Sequence, residues 1–344
     1  MELNLKPLYR AVLAIALTFL ATSILFIFTG ANPFLAFYYI FHGAFGNELL
    51  IIETLVRTSP ILLISLGLAI SFKCKVWNIG AEGQLYIGAM LGTIAALFMG
   101  EFFLTLPIAI IFSILGGAAW ASIPAFMKAK LGINEVITTF LMNYVAINLV
   151  QWLLAFPFKS PETLFPESSR IPYSAIFPII INHTRFHLGI LITFIIILPL
   201  IYFLMMKTTF GFKLKVVGEN PEAAKYSGIS VSTTIFMALV ISGALAGMAG
   251  FFEVAGIQYR MRPTISPGYG YTGIVIALLG QNHPIGITLA SIFIAAIING
   301  ASTMSRILNQ PQGIVDFIQG MLIIMVLASE IILRYLEKRE VIKT

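Results

Sequence analysis

At 344 residues, 58% of them hydrophobic and only 10% charged, with a mean hydropathy of +0.94, the chain carries more apolar surface than a soluble fold of this length can hide. A single cysteine, Cys74, excludes an internal disulfide and a thiolate metal cluster. The net charge of +6 sits in short loops between apolar runs, which is the signature of membrane topology and not of nucleic-acid binding. The fold class is all-α, a polytopic transmembrane helical bundle.

About ten spans are expected, over Leu8–Thr29, Glu53–Phe72, Ala81–Met99, Phe102–Phe126, Asn134–Phe156, Leu188–Met206, Val231–Ala255, Tyr269–Leu279, Ile285–Gly300 and Ile314–Leu333. The start resembles a signal peptide, with Lys6 and Arg10 before an apolar run. Ala11–Phe28 is nonetheless uncharged for about 18 residues, longer than a signal core, and reads as a retained first span. With the N-terminus inside, the alternating loops hold about 14 basic residues inside against 6 outside, which places both termini in the cytoplasm. The third and eighth spans are short or interrupted by glycine and read as ordinary spans or as re-entrant or broken helices. They fall in corresponding places in the two halves, as in duplicated transporter folds.

Two loops stand out. Residues 158–187 form the one long outer loop, with Pro161, Pro166, Pro172 and Pro178, and suit either a docking surface or an ordered connection. On the inner side, within residues 207–230, GFKLKVVGENPEAAKYSGIS at Gly211–Ser230 is the longest polar interruption of the second half. Asn220 can cap a helix there, Pro221 suits its first position and Gly228 the left-handed position past its end. The intervening helix, roughly Pro221–Ser227, is about two turns long and marginal alone, so it needs packing. Its Ala223, Ala224 and Ser227 offer a small-residue surface to a partner.

Polar groups within the spans are few. In WNIGAEGQ, Asn78 and Glu82 are four apart and share a helix face. Asn78, Glu82 and Gln84 read either as neighbours of a translocation path or as a polar helix start satisfied by its surroundings. In Pro263–Pro284, Tyr269 and Tyr271 among glycines suit stacking on a planar ring, or ordinary interfacial packing. No metal site and no catalytic residue is expected. HExxH and GxSxG are missing, and no GxxxxGK[ST] phosphate loop is present, so transport must use an ion gradient or a borrowed ATPase.

GENPEAAKYSGI resembles the cytoplasmic signature of permease subunits of ATP-binding-cassette importers, in the ribose/branched-chain amino acid permease family. NIGAEGQ at Asn78–Gln84 and GYGYTGIVIALLGQNHP at Gly268–Pro284 are similar to its nucleoside or simple-sugar branch. The resemblance runs from the second span to the tenth and implies one permease domain over residues 1–344. It implies ATPase coupling through Gly218, Asn220, Ala223, Ala224, Gly228 and Ile229, with Pro221 opening the helix. It also implies ATPase subunits below, a second permease subunit beside, and a substrate-binding lipoprotein above, for which Lys159, Arg170, Arg260 and Arg262 are docking candidates. No cofactor is expected on this chain, ATP being used by the partner subunits. The substrate expected is a purine-type nucleoside, with simple sugars as the alternative. An ion-gradient carrier is the rival mechanism, with only Glu53, Glu82 and Glu253 as deep titratable groups.

Overall fold

A computed structural model describes residues 6–311, 313–321, 324–325 and 328; most of the C-terminal half of the expected tenth span and all of residues 329–344 lie outside the described residues. In chain order the helices are α1 (Lys6–Phe28), α2 (Pro33–Phe45), α3 (Glu48–Lys73), α4 (Ala81–Met99), α5 (Thr105–Leu131), α6 (Glu135–Ala155), α7 (Leu188–Lys207), α8 (Thr209–Glu219), α9 (Pro221–Tyr226), α10 (Val231–Gln258), α11 (Tyr269–Leu279) and α12 (Pro284–Ile307). The chain is all-helical among the described residues, apart from a short 3-10 turn and an isolated antiparallel bridge between Ile179 and His187.

Seven of these helices are long and apolar enough to cross a membrane. The bent pair α1–α2, the short α11 and the partly described helix from residue 313 bring the number to the ten expected. α2 was not anticipated. Ala16–Phe28 and Pro33–Phe45 meet at 119°, a broken span or a re-entrant loop. Asn32 makes that bend, its Oδ1 accepting from the N–H groups of Phe34 at 2.9 Å and Leu35 at 3.4 Å, with Pro33 at the first helical position.

Two compact units are present, residues 1–54 with 292–344, and residues 55–291. In the first, Asn299 is buried and ties the α2–α3 turn to α12. Its Nδ2 donates to the carbonyls of Gly43 and Leu50, each at 3.3 Å, and to the Thr54 hydroxyl at 3.1 Å.

In the second unit, α4, α5 and α10 cross closely through small residues. A Cβ on Gly88 or on Gly117 would run into the Gly247 backbone, so the three helices meet where no side chain intervenes. About 67% of the apolar window of both α4 and α10 is buried, against 28% in α5 and 22% in α6. α7 contains a π-helical stretch at Ile192–Ile197, and α10 ends in another at Val254–Gln258.

The outer loop is ordered. The N–H groups of Ser168, Ile171 and Phe177 donate to the carbonyls of Met261, Tyr259 and Ala255 at 3.0–3.1 Å, binding it to the chain just beyond and at the end of α10. Glu101 grips its middle, accepting from the N–H groups of Tyr173 at 2.7 Å and Ser174 at 3.0 Å; these bonds hold its carboxyl below the usual range.

Candidate functional site

The polar stretch at Gly211–Ser230 folds as two helices joined at Asn220, where the sequence indicated one. α8 is hard to see in the sequence because its two glycines and its lysines mask the spacing of Leu214 and Val217, which it buries. α9 begins as expected. Asn220 Oδ1 accepts from the N–H groups of Glu222 at 3.0 Å and Ala223 at 3.1 Å, and Pro221 occupies the first position. The helix ends before Gly228, whose φ of +75° is the left-handed conformation the C-terminal stop requires.

The face it presents differs from the expected one. Ala224 is 0% exposed and packs inward, so it anchors α9 and offers nothing to a partner. Ala223, Lys225 and Ser227 are exposed, and Tyr226 projects with 92% of its surface free. Ile229 is half-buried. Gly218 is also internal, since a Cβ there would overlap the Lys73 carbonyl at the end of α3. Lys73 Nζ reaches the Met205 carbonyl of α7 at 3.4 Å. The exposed helix is thus joined through Gly218 to the ends of two spans.

At the start of α4 the structure brings Asn78, Gln84 and Ser242 together. Asn78 Nδ2 donates to Gln84 Oε1 and to Ser242 Oγ, both at 2.9 Å, and Gln84 Nε2 donates back to Asn78 Oδ1 at 3.1 Å. All three are buried. Two residues of α6 that the sequence reading passed over complete this network. Thr139 Oγ1 accepts from Ile79 N–H at 3.1 Å; Asn143 accepts from Gly83 N–H at 2.8 Å and donates to the Ile79 carbonyl at 2.8 Å. Their four-residue spacing in an apolar span was the available signal. Glu135 helps to seat the same segment, accepting from Trp77 N–H at 3.4 Å and pairing with Lys128 at 2.7 Å.

Glu82 points elsewhere, to the N-terminus of α11. Its Oε2 accepts from Gly270 N–H at 2.7 Å. A Cβ on Gly270 would strike the Glu82 backbone, so glycine permits the approach. Tyr86, one turn further, donates to the Pro263 carbonyl at 2.9 Å. Tyr269 is buried, whereas Tyr271 is partly exposed and its hydroxyl accepts from Asn143 Nδ2 at 3.3 Å. The eighth span is therefore an 11-residue half-helix entered by the non-helical segment 259–268. Irregular backbone is tolerated within a bundle only where protein or water satisfies it. Here Tyr86, at the Pro263 carbonyl, and Gln258, which donates to the Ile265 carbonyl at 3.1 Å, do so, while Glu82 holds the first turn of α11 at Gly270.

Of the outer cations, Arg260 and Arg262 both grip Glu167, at 2.6 and 2.9 Å. Burial opposes the charge on Glu167, but the two guanidiniums outweigh it and hold the carboxyl below its usual range. Arg170 lies 5.4 Å from the centroid of the Tyr259 ring, beside a cleft lined by Tyr173 and Phe177. Lys159 is exposed.

The chain is a multi-pass helical bundle with a half-helix, Tyr269–Leu279, and a short capped helix, Pro221–Tyr226, between two of its spans. The chain belongs to the family described as branched-chain amino acid transport system / permease component, matched over residues 50–327. It is a multi-pass integral protein of the plasma membrane. It is 31% identical over 333 residues to the guanosine ABC transporter permease protein NupP of Bacillus subtilis, covering 95% of this chain and 94% of that one. With the nucleoside ABC transporter permease protein NupB of Lactococcus lactis it shares 31% over 346 residues, covering 96% and 93%. With the glucose ABC transporter permease protein TsgB13 of Haloferax volcanii it shares 36% over 294 residues, covering 82% and 77%. No solved structure matches the chain.

Proposed function

We propose that this chain is the permease subunit of an ATP-binding-cassette importer that carries purine-type nucleosides. The observation that carries the substrate is end-to-end likeness to permeases named for guanosine and nucleosides, over 95% and 96% of the chain. The likeness to a permease named for glucose favours the second reading, a simple sugar.

The polar geometry supports an uncharged solute in either case. The N-terminus of a half-helix attracts anions, yet that of α11 is already occupied by the Glu82 side chain, and Arg260 and Arg262 are engaged by Glu167. A carboxylate-bearing amino acid would find neither available.

ATP-binding-cassette ATPase subunits dock on α9, a second permease subunit completes the translocation unit, and a binding lipoprotein delivers substrate at the outer loop. Both termini lie on the ATPase side. The chain binds no cofactor; closure of the ATPases moves α9, and Gly218 passes that motion to α3 and α7, rocking the spans between outward- and inward-open states. Uptake of labelled guanosine, ribose and glucose by the reconstituted importer separates the readings. Guanosine accumulation supports the first, and accumulation of a sugar alone supports the second.

A further inference from the structure

The buried residues of α6, Glu135, Thr139, Asn143, Ala146, Val150 and Leu154, recur on one side of the helix. The opposite side is free, but it is not uniformly apolar. Tyr144, 55% exposed, and the exposed Asn148 and Gln151 follow one another at spacings of four and three residues, which places them on one face. α6 has 21 residues, so Tyr144 sits at its middle, and at about 1.5 Å per residue Asn148 lies about 6 Å beyond. Lipid tails offer such groups no hydrogen bonds, and each polar group left unsatisfied there costs several kcal/mol. Asn148 Nδ2 donates to the Tyr144 carbonyl of its own helix at 2.7 Å, leaving its Oδ1 available as an outward acceptor.

The stripe adjoins the half-helix. Asn143, one position before Tyr144, donates to the Tyr271 hydroxyl at 3.3 Å. Tyr271 is thereby the one proposed path residue that continues into an exposed polar surface; Asn78, Glu82 and Gln84 are enclosed.

Resting on the permease reading above, we propose that Tyr144, Asn148 and Gln151, with Tyr271, line the water-filled path and contact the solute in it. The phenol rings present flat apolar faces to a planar base or a sugar ring, and the carboxamides supply both donors and acceptors to its polar edge. Nothing in this surface is charged, which suits an uncharged solute.

The test is thiol accessibility in the assembled importer with Cys74→Ala as background. Tyr144→Cys, Asn148→Cys and Gln151→Cys are compared with Val145→Cys and Leu149→Cys, which lie on the same helix to one side of the stripe and are exposed. A membrane-impermeant methanethiosulfonate reagent is expected to modify the first three and spare the last two. Guanosine supplied with the binding protein is expected to slow that modification several-fold. If all five positions react alike, or none reacts, the stripe faces lipid or protein and the proposal falls. Modification that neither guanosine nor ribose slows would overturn solute contact. Protection by ribose but not guanosine would uphold the lining and overturn the nucleoside reading alone.

Discussion

The Glu82 side chain accepts the backbone N–H of Gly270 at 2.7 Å, joining the first turn of α4 to the first turn of α11 across 188 residues of sequence. A carboxyl group is the favourable occupant of a helix N-terminus, contributing about 0.3–2 kcal/mol depending on burial. Glu82→Ala leaves a buried N–H without its acceptor, at a cost of about 1–3 kcal/mol. Glu82→Gln retains an acceptor and should cost less. Thermal unfolding in detergent is expected to rank the proteins wild type, Glu82→Gln, then Glu82→Ala; equal midpoints would show that the cap does not hold α11.

Gly218 is the joint between α8 and the end of α3. Gly218→Val inserts a side chain where the Lys73 carbonyl stands, and overpacking of this kind costs about 1–3 kcal/mol. The exposed α9 is untouched. ATPase subunits are therefore expected to co-purify with the variant while substrate uptake falls by an order of magnitude or more. Loss of the ATPase from the purified complex would instead place Gly218 in the contact itself.

On α9, Tyr226 is the large exposed side chain of a rigidly capped helix. Aromatic residues in such positions are frequent binding hot spots, worth more than about 1 kcal/mol each. Tyr226→Ala should weaken ATPase association at least about fivefold in a detergent binding assay. Ala224→Arg acts differently, because Ala224 is enclosed. It should expose residues 209–230 to limited proteolysis before any docking is measured, whereas Tyr226→Ala should leave that digestion pattern unchanged.

Acid should loosen the outer loop. Burial pushes His187 down to about 4, so its neutral form is favoured in the fold. Its contribution is complete above the unfolded value of about 6.5 and is lost as pH falls through about 4. Glu167 acts in the same sense: its lowered value stabilises the loop above the normal carboxylate range, and that contribution is lost on further acidification. Protection factors against hydrogen exchange in residues 158–187, taken relative to the intrinsic rate at each pH, are expected to fall below about pH 6.5. His187→Phe keeps the stack on Phe177 and should flatten the upper part of that fall; Glu167→Gln should flatten the lower part.

Apolar runs made the spans legible, and two of them, Ala81–Met99 and Tyr269–Leu279, have the limits expected from sequence. The cap-and-stop residues around α9 were equally readable because their chemistry is local. α2 escaped because its break from α1 is a turn of Gly30 to Asn32 inside one apolar stretch. The order of the outer loop escaped because its bonds run to Met261, Tyr259 and Glu101, far away in the chain. Glu82 was recognisable as a costly buried group, but its partner was not. For Tyr144, Asn148 and Gln151 no local signal tells which face of the helix they share; the burial of Thr139 and Asn143 on the other side shows it.

The most direct test of the whole account is guanosine uptake into proteoliposomes holding the complete importer and its binding protein, with and without trapped ATP. Guanosine should accumulate only with ATP inside, and uptake should vanish when the ATPase subunits are omitted. Equal accumulation without them, abolished by collapsing the ion gradient, would contradict an ATPase-driven permease.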